Sequence, residues 1–176
     1  MRKKVAIAIG LLALVTAWVL WLAKPPPTQA QKMGAVIDAV NRRQEIVSQG
    51  APTQEIQEYL EQLFRTLEAH DFPSFRTLTH LKPNCKQLAI LREVLFDGGD
   101  FCPATILEMR RTRDTEEDLT LLPFDWRSSS FVGDVRMYSH SRKVVRVHSE
   151  KRNRDYQLVL YDTTVGPTLL LAGELK

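Results

Sequence analysis

The sequence predicts an α+β domain behind an N-terminal transmembrane helix, and three observations carry that expectation. Residues 5–23, VAIAIGLLALVTAWVLWLA, form an apolar run that no charge interrupts. From Met33 to Phe96 the apolar residues recur at helical spacing. From Ala104 onward the segments shorten, turn β-prone and are separated by turn residues. Helices first and a meander of strands afterwards describe helices packed on one face of a curved antiparallel sheet.

The apolar run spans roughly 28 Å as a helix, close to the hydrocarbon core of a bilayer. Arg2, Lys3 and Lys4 stand directly before it, a basic flank that stays in the cytoplasm and sends the rest of the chain out. A secretory signal has an apolar core of about 7–15 residues, so this longer run favours a retained signal-anchor. The alternative is cleavage after Ala30, with Thr28 at the minus-three position. The expected address is the inner membrane, single-pass, with the domain on the periplasmic side. After cleavage it would be free in the periplasm or secreted. The chain divides into an anchor at 1–23, a proline-rich spacer at 24–31 and an exported domain at 32–176, with helices over 32–97 and the sheet over 103–176. Pro25, Pro26 and Pro27 stiffen the spacer.

Within the domain, Met33, Val36, Ile37, Val40 and Val47 give a helical stripe stopped by Gly50. Thr53 is a good N-cap for the next helix, where Ile56, Tyr59, Leu60, Leu63, Phe64 and Leu67 form the clearest amphipathic stripe of the chain. Core packing accounts for it; dimerisation through it or through the preceding helix is the alternative. Asp71, Phe72 and Pro73 restart a helix. Pro83 or Asn84 opens another, carrying Leu88, Ile90, Leu91, Val94 and Leu95 and ending at Asp97, Gly98 and Gly99. Strands are expected at 104–112, 119–122, 129–139, 143–149, 155–162 and 168–175. Tyr156, Leu158 and Leu160 point one way along their strand, and Val159 and Tyr161 the other. The sheet is therefore apolar on both sides. The side away from the helices is a pocket, a partner site or the floor beneath a long loop. Tyr156, Leu158 and Tyr161 are the candidate binding residues.

Cys85 and Cys102 are the only cysteines. In an oxidising compartment they read as a disulfide or as two buried free thiols. A bridge would close a loop contributing roughly 3 kcal/mol, if residues 97–102 ran back along the helix that Cys85 opens. Arg142, Lys143, Arg146, Lys151, Arg152 and Arg154 crowd two strand ends and their turn. They are either a solvated, edge-protecting hairpin or a basic patch for anionic head groups, an acidic polymer or an acidic partner.

No GxSxG, HExxH, Walker or dinucleotide motif is present. No catalytic residue, cofactor or metal site is expected. The run Ser128 to Ser130 reads as turn residues. Asp134 would act as a general base only from an apolar pocket, and a solvated carboxylate is the plainer reading. If Ser141 and Arg142 made a two-residue hairpin, His148 would oppose Val135 and could not share a metal with His140. His70 suits a helix end. The net charge of +3 is too mild for a nucleic-acid partner.

The helix end Leu67-Glu68-Ala69-His70-Asp71-Phe72, with the C-terminal strands, resembles the nuclear-transport-factor-two-like cone fold, which includes ketosteroid-isomerase-like enzymes. The resemblance covers residues 53–176. It implies a periplasmic assembly factor or a binder of small apolar ligands; an isomerase-like enzyme with a lone carboxylate in an apolar pocket is the alternative. The expectation is a non-enzymatic, membrane-anchored domain that binds an envelope protein or a small apolar ligand. Its oligomeric state is left open.

Overall fold

The computed structural model describes residues 25–44, 46–122, 130–138 and 141–175. The apolar run at 5–23, Ser128, Ser129 and His140 lie outside them. Among the described residues no helix is long and apolar enough to cross a membrane. The domain is α+β, with helices and a five-stranded antiparallel sheet whose strands follow chain order.

Helix α1 (Gln29–Asn41) starts inside the segment read as spacer. Thr28 and Gln31 form a reciprocal capping box that satisfies two otherwise orphaned amides and pulls the start forward. The helix then ends, and Ile46–Gly50 is strand β1. This corrects the single stripe through Val47. Val47 fits a 3.6-residue period by coincidence; it lies in β1 between Ile46 and Ser48, whose pairing with β2 holds the segment extended. Helix α2 (Gln54–Glu68) follows, with Thr53 as N-cap through its carbonyl, not its hydroxyl. Helix α3 (Phe72–Thr79) is capped by Asp71, whose carboxylate accepts from the Ser74 amide at 3.1 Å. Helix α4 (Lys86–Arg92) widens into a π-helical turn at Glu93–Asp97.

Strand β2 (Ala104–Thr112) leads to a short helix α5 (Glu116–Thr120), where a strand was expected at 119–122. A second capping box, Thr115 with Asp118, together with acidic residues in the first turn, decides for helix there. Of the strand expected at 129–139, the described residues 130–138 make two isolated bridges, Leu81 with Phe131 and Met137 with Thr163. Gly133 turns the chain between them at φ +66°. Strands β3 (Arg142–Ser149), β4 (Arg154–Thr163) and β5 (Gly166–Glu174) complete the meander. Arg142 opens β3 opposite Thr112 of β2, so the Ser141–Arg142 hairpin does not form. His148 faces Thr105 on one side and Asp155 on the other, not Val135.

The helices do not all share one face. Tyr156 faces one side, where its ring packs edge-on against Phe101 at 5.0 Å and its hydroxyl accepts from Arg152, which also binds the π-helical turn at Val94. The neighbouring Gln157 points to the opposite side. There it donates to Asp38 of α1 at 2.6 Å and accepts from Asn41 of α1 at 2.9 Å. Helix α1 therefore covers part of the second apolar face, a task the sequence had left to a loop, a pocket or a partner. Phe72, Phe75 and Phe96 stack into one cluster that ties α3 to the π-helical turn.

Candidate functional surface

Tyr156, Leu158 and Tyr161 are buried, at 2, 0 and 0 % exposure. Alternation puts Tyr156 and Leu158 on one face and Tyr161 on the other, so the three do not form one open surface.

The six basic residues scatter by role. Arg142 is fully buried and ion-paired with Asp114 at 3.4 Å. It also donates to Gln44 at 3.0 Å. Tyr161 and Gln44 both donate to the same Asp114 carboxylate. Burial raises the Asp114 carboxyl above the usual range, against the pull of Tyr161 and Arg142. It raises the Tyr161 phenol further still, with the Asp114 charge adding to the effect. This cluster closes one end of the sheet, and among the described residues Arg142 Nε and Nη2 find no acceptor.

Lys143 pairs with Asp162 and Arg154 with Glu174, the latter at 2.7 Å. Arg146 binds Asp155 at 2.5 Å, and His148 Nδ1 lies 2.7 Å from the same carboxylate. These bonds from Arg146 and His148 hold Asp155 below the usual carboxylate range. Arg152 works as a clamp. Its guanidinium donates to the carbonyls of Val94 at 2.6 Å, Leu95 at 3.1 Å and Gly99 at 3.2 Å. The same group lies over the rings of Phe101 and Tyr156. It satisfies the carbonyls that a widened helix end leaves open. Lys151 is exposed at the turn between β3 and β4.

Around that clamp lies a groove of about 700 Å³. Its walls are the start of α1 at Thr28 to Ala30, the π-helical turn and the Lys151 to Arg154 turn. Glu93, Asp97, Asp100 and Glu174 line it together with Lys151, Arg152 and Arg154. The charges are mixed, so the groove does not attract one sign of ligand by field alone.

Both cysteines are free thiols, Cys85 half-buried and Cys102 buried. The Cys102 thiol donates to the Phe64 carbonyl at 3.4 Å, and burial pushes its pKa up to about 11. Asp134 is exposed in the turn next to Gly133. His70 ends α2 in a left-handed conformation, with Nε2 3.1 Å from Asp100. Among the described residues no group of three His, Cys, Asp or Glu side chains is placed to hold a metal ion.

Sequence reasoning missed the carboxylate partners of the basic residues and the Arg152 clamp. The acidic residues were visible, but their separations of 9 to 28 positions make them neighbours only through the sheet register. Comparison with protein-family profiles, curated proteins and solved structures gives no match to this chain in any of the three.

Proposed function

We propose that this chain is a single-pass, membrane-anchored, non-enzymatic protein whose exported α+β domain binds a partner protein close to the bilayer surface. One observation carries this reading. The apolar run ends at Ala23 and helix α1 is capped at Thr28, leaving residues 24–27 as the whole link. The five steps from Ala23 to Thr28 reach at most about 18 Å even when fully extended. The groove lined by Thr28, Gln29 and Ala30 therefore opens near the head-group layer, where a membrane partner passes.

The capping box supports retention over cleavage. A cut after Ala30 separates Thr28 from Gln31 and removes the first turn of a helix whose Ala30 packs against the core. Loss of such a cap costs about 1 kcal/mol.

The test uses the full chain with a C-terminal tag. The chain stays with carbonate-washed membranes, a variant lacking residues 1–24 becomes soluble, and protease added from outside digests the domain. A chain that washes off the membrane, or a mature N-terminus at Gln31, overturns the anchor. Crosslinking through Lys151 in detergent-solubilised membranes recovers the partner. Recovery of none, with the anchor intact, overturns the binding reading.

A further inference from the structure

Among the described residues the sheet ends at its β1 side. Strand β1 pairs with β2 only from Met109 to Thr112, and Gly50 opposite Met109 is its last paired residue. Past Gly50, Pro52 turns the chain away into α2. Strand β2 continues from Glu108 back to Ala104 with β3 on its inner side. On its outer side, among the described residues, no strand accompanies it. That stretch extends about 17 Å at 3.4 Å per residue.

A groove of about 500 Å³ lies along residues 106–109 of β2, beside the end of β1. Ile106, Leu107, Met109, Ala51 and Pro52 supply its apolar wall, and Gln49, Gln57 and Glu108 its polar rim. Leu107 sits at the bulge where the β2–β3 register shifts and is 48 % exposed. Of the usual protections of an open edge, this stretch carries the bulge at Leu107 and has Pro52 beside it, but among the described residues it has no covering strand. The one charge here, Glu108, is already paired with Arg110. The opposite edge of the sheet is treated differently: the Leu169 amide of β5 donates to the buried Tyr59 hydroxyl at 2.8 Å, and α1 lies along that strand.

We propose that the outer edge of residues 104–108 is a strand-addition site, which takes an extended peptide segment of a partner protein antiparallel to β2 and in line with β1. The proposal rests on the binding-domain reading and names its partner's form. The chemistry of the vacancy selects this occupant. An edge offers backbone amides and carbonyls at strand spacing, and only an extended backbone answers them. The antiparallel direction continues the β1–β2 ladder already present. Side chains of the added strand alternate across the sheet, so every second residue of the segment meets the apolar wall and is itself apolar. The slot is also lined by Ala51, Pro52 and Gln57, from the β1–α2 connection and the first turn of α2. It admits a thin peptide more readily than the full sheet edge of a second copy of this domain.

The experiment selects peptides from a random linear seven-residue library on the full chain in nanodiscs, then maps the best binder by hydrogen exchange. The expected result is added amide protection within residues 104–108. N-methylation of alternate peptide amides should abolish binding, and Leu107→Lys should weaken it at least tenfold. Leu107 is half exposed, so that variant keeps its fold; an unchanged thermal melt verifies this. Protection at residues 46–50 or around the Thr28 groove overturns the strand-addition site while leaving a binding domain in place. Full binding by the N-methylated peptide also overturns it. Concentration-dependent protection of 104–108 without peptide assigns the edge to a second copy and overturns the peptide occupant. Selection of no peptide at all, with a partner still crosslinked through Lys151, sinks the edge but not the binding domain.

Discussion

Gly34 and Gly173 bring helix α1 and strand β5 into backbone contact. A methyl carbon at Gly173 would stand 2.7 Å from the Gly34 Cα, and one at Gly34 would stand 2.8 Å from the Glu174 carbonyl carbon. Neither position has room for a side chain, and the obstacle is backbone on both sides. The pair sets how closely α1 seats on the sheet, and so where Asp38 and Asn41 meet Gln157.

Gly34→Ala is expected to lift α1. Overpacking of this kind typically costs about 1–3 kcal/mol, and an obstacle made of backbone puts this case at the upper end. Thermal melts and limited proteolysis check it: the melt falls and α1 becomes the first cleavage site. Gly50→Ala is the control, since a methyl there meets nothing within 4 Å. A Gly34→Ala variant as stable as Gly50→Ala would contradict the close seating.

Arg152→Ala removes a fork that holds three carbonyls and covers two rings. A loss on the order of 2–3 kcal/mol is expected in denaturant titration. Lys in its place recovers only part of this, because a point charge lacks the planar fork. Full rescue by Lys would mean that charge alone matters.

Asp114→Asn leaves Arg142 buried beside a neutral group. Breaking a buried pair in this way costs about 3–5 kcal/mol. Adding Arg142→Met removes the stranded cation, while the Asn oxygen still accepts from one of the two donors, Tyr161 or Gln44. The double variant is expected to melt above the single one. If it melts lower, the pair contributes more than its own desolvation removes.

Asp155 gives a pH signature. Arg146 and His148 depress its folded pKa, so its stabilising effect is present above the unfolded carboxylate value, near 4. It fades as the pH falls through the lower, folded value. Wild type should therefore melt above Asp155→Asn near neutral pH, with the two curves converging in acid. A gap that stays constant down to the lowest pH would rule out this linkage.

The thiols should differ in reactivity. With its pKa near 11 and its side chain buried, Cys102 is largely protonated at neutral pH and reacts with maleimide only after unfolding. Cys85 reacts in the native chain. Two thiols are expected in denaturant without reductant, and a count of zero would establish the disulfide instead.

The amphipathic stripe Ile56 to Leu67 was readable because helix α2 buries one face, and a 3.6-residue period is a local property. The strands after residue 141, and β2 before them, were readable for the same reason. Strand β1 was not, since five residues are too few to separate a period of two from a fragment of a longer helix. The bridge residues Phe131 and Met137 were read as one strand because both are apolar and extended; Gly133 between them decided otherwise. Helix α5 was signalled by Thr115 and Asp118, but the acidic stretch between them also reads as a turn.

By itself the sequence determined the apolar run with its basic flank, the α+β class and most element positions, all of which depend on neighbours within a few residues. Tertiary structure alone decided that Arg142, Arg146 and Arg154 are partnered, that Arg152 clamps a helix end, that α1 covers part of the second face, and that among the described residues no strand pairs with the outer side of β2 at 104–108. Those outcomes depend on strand register and on helix seating. A shift of one residue reverses which side chains meet, so a linear pattern cannot encode them.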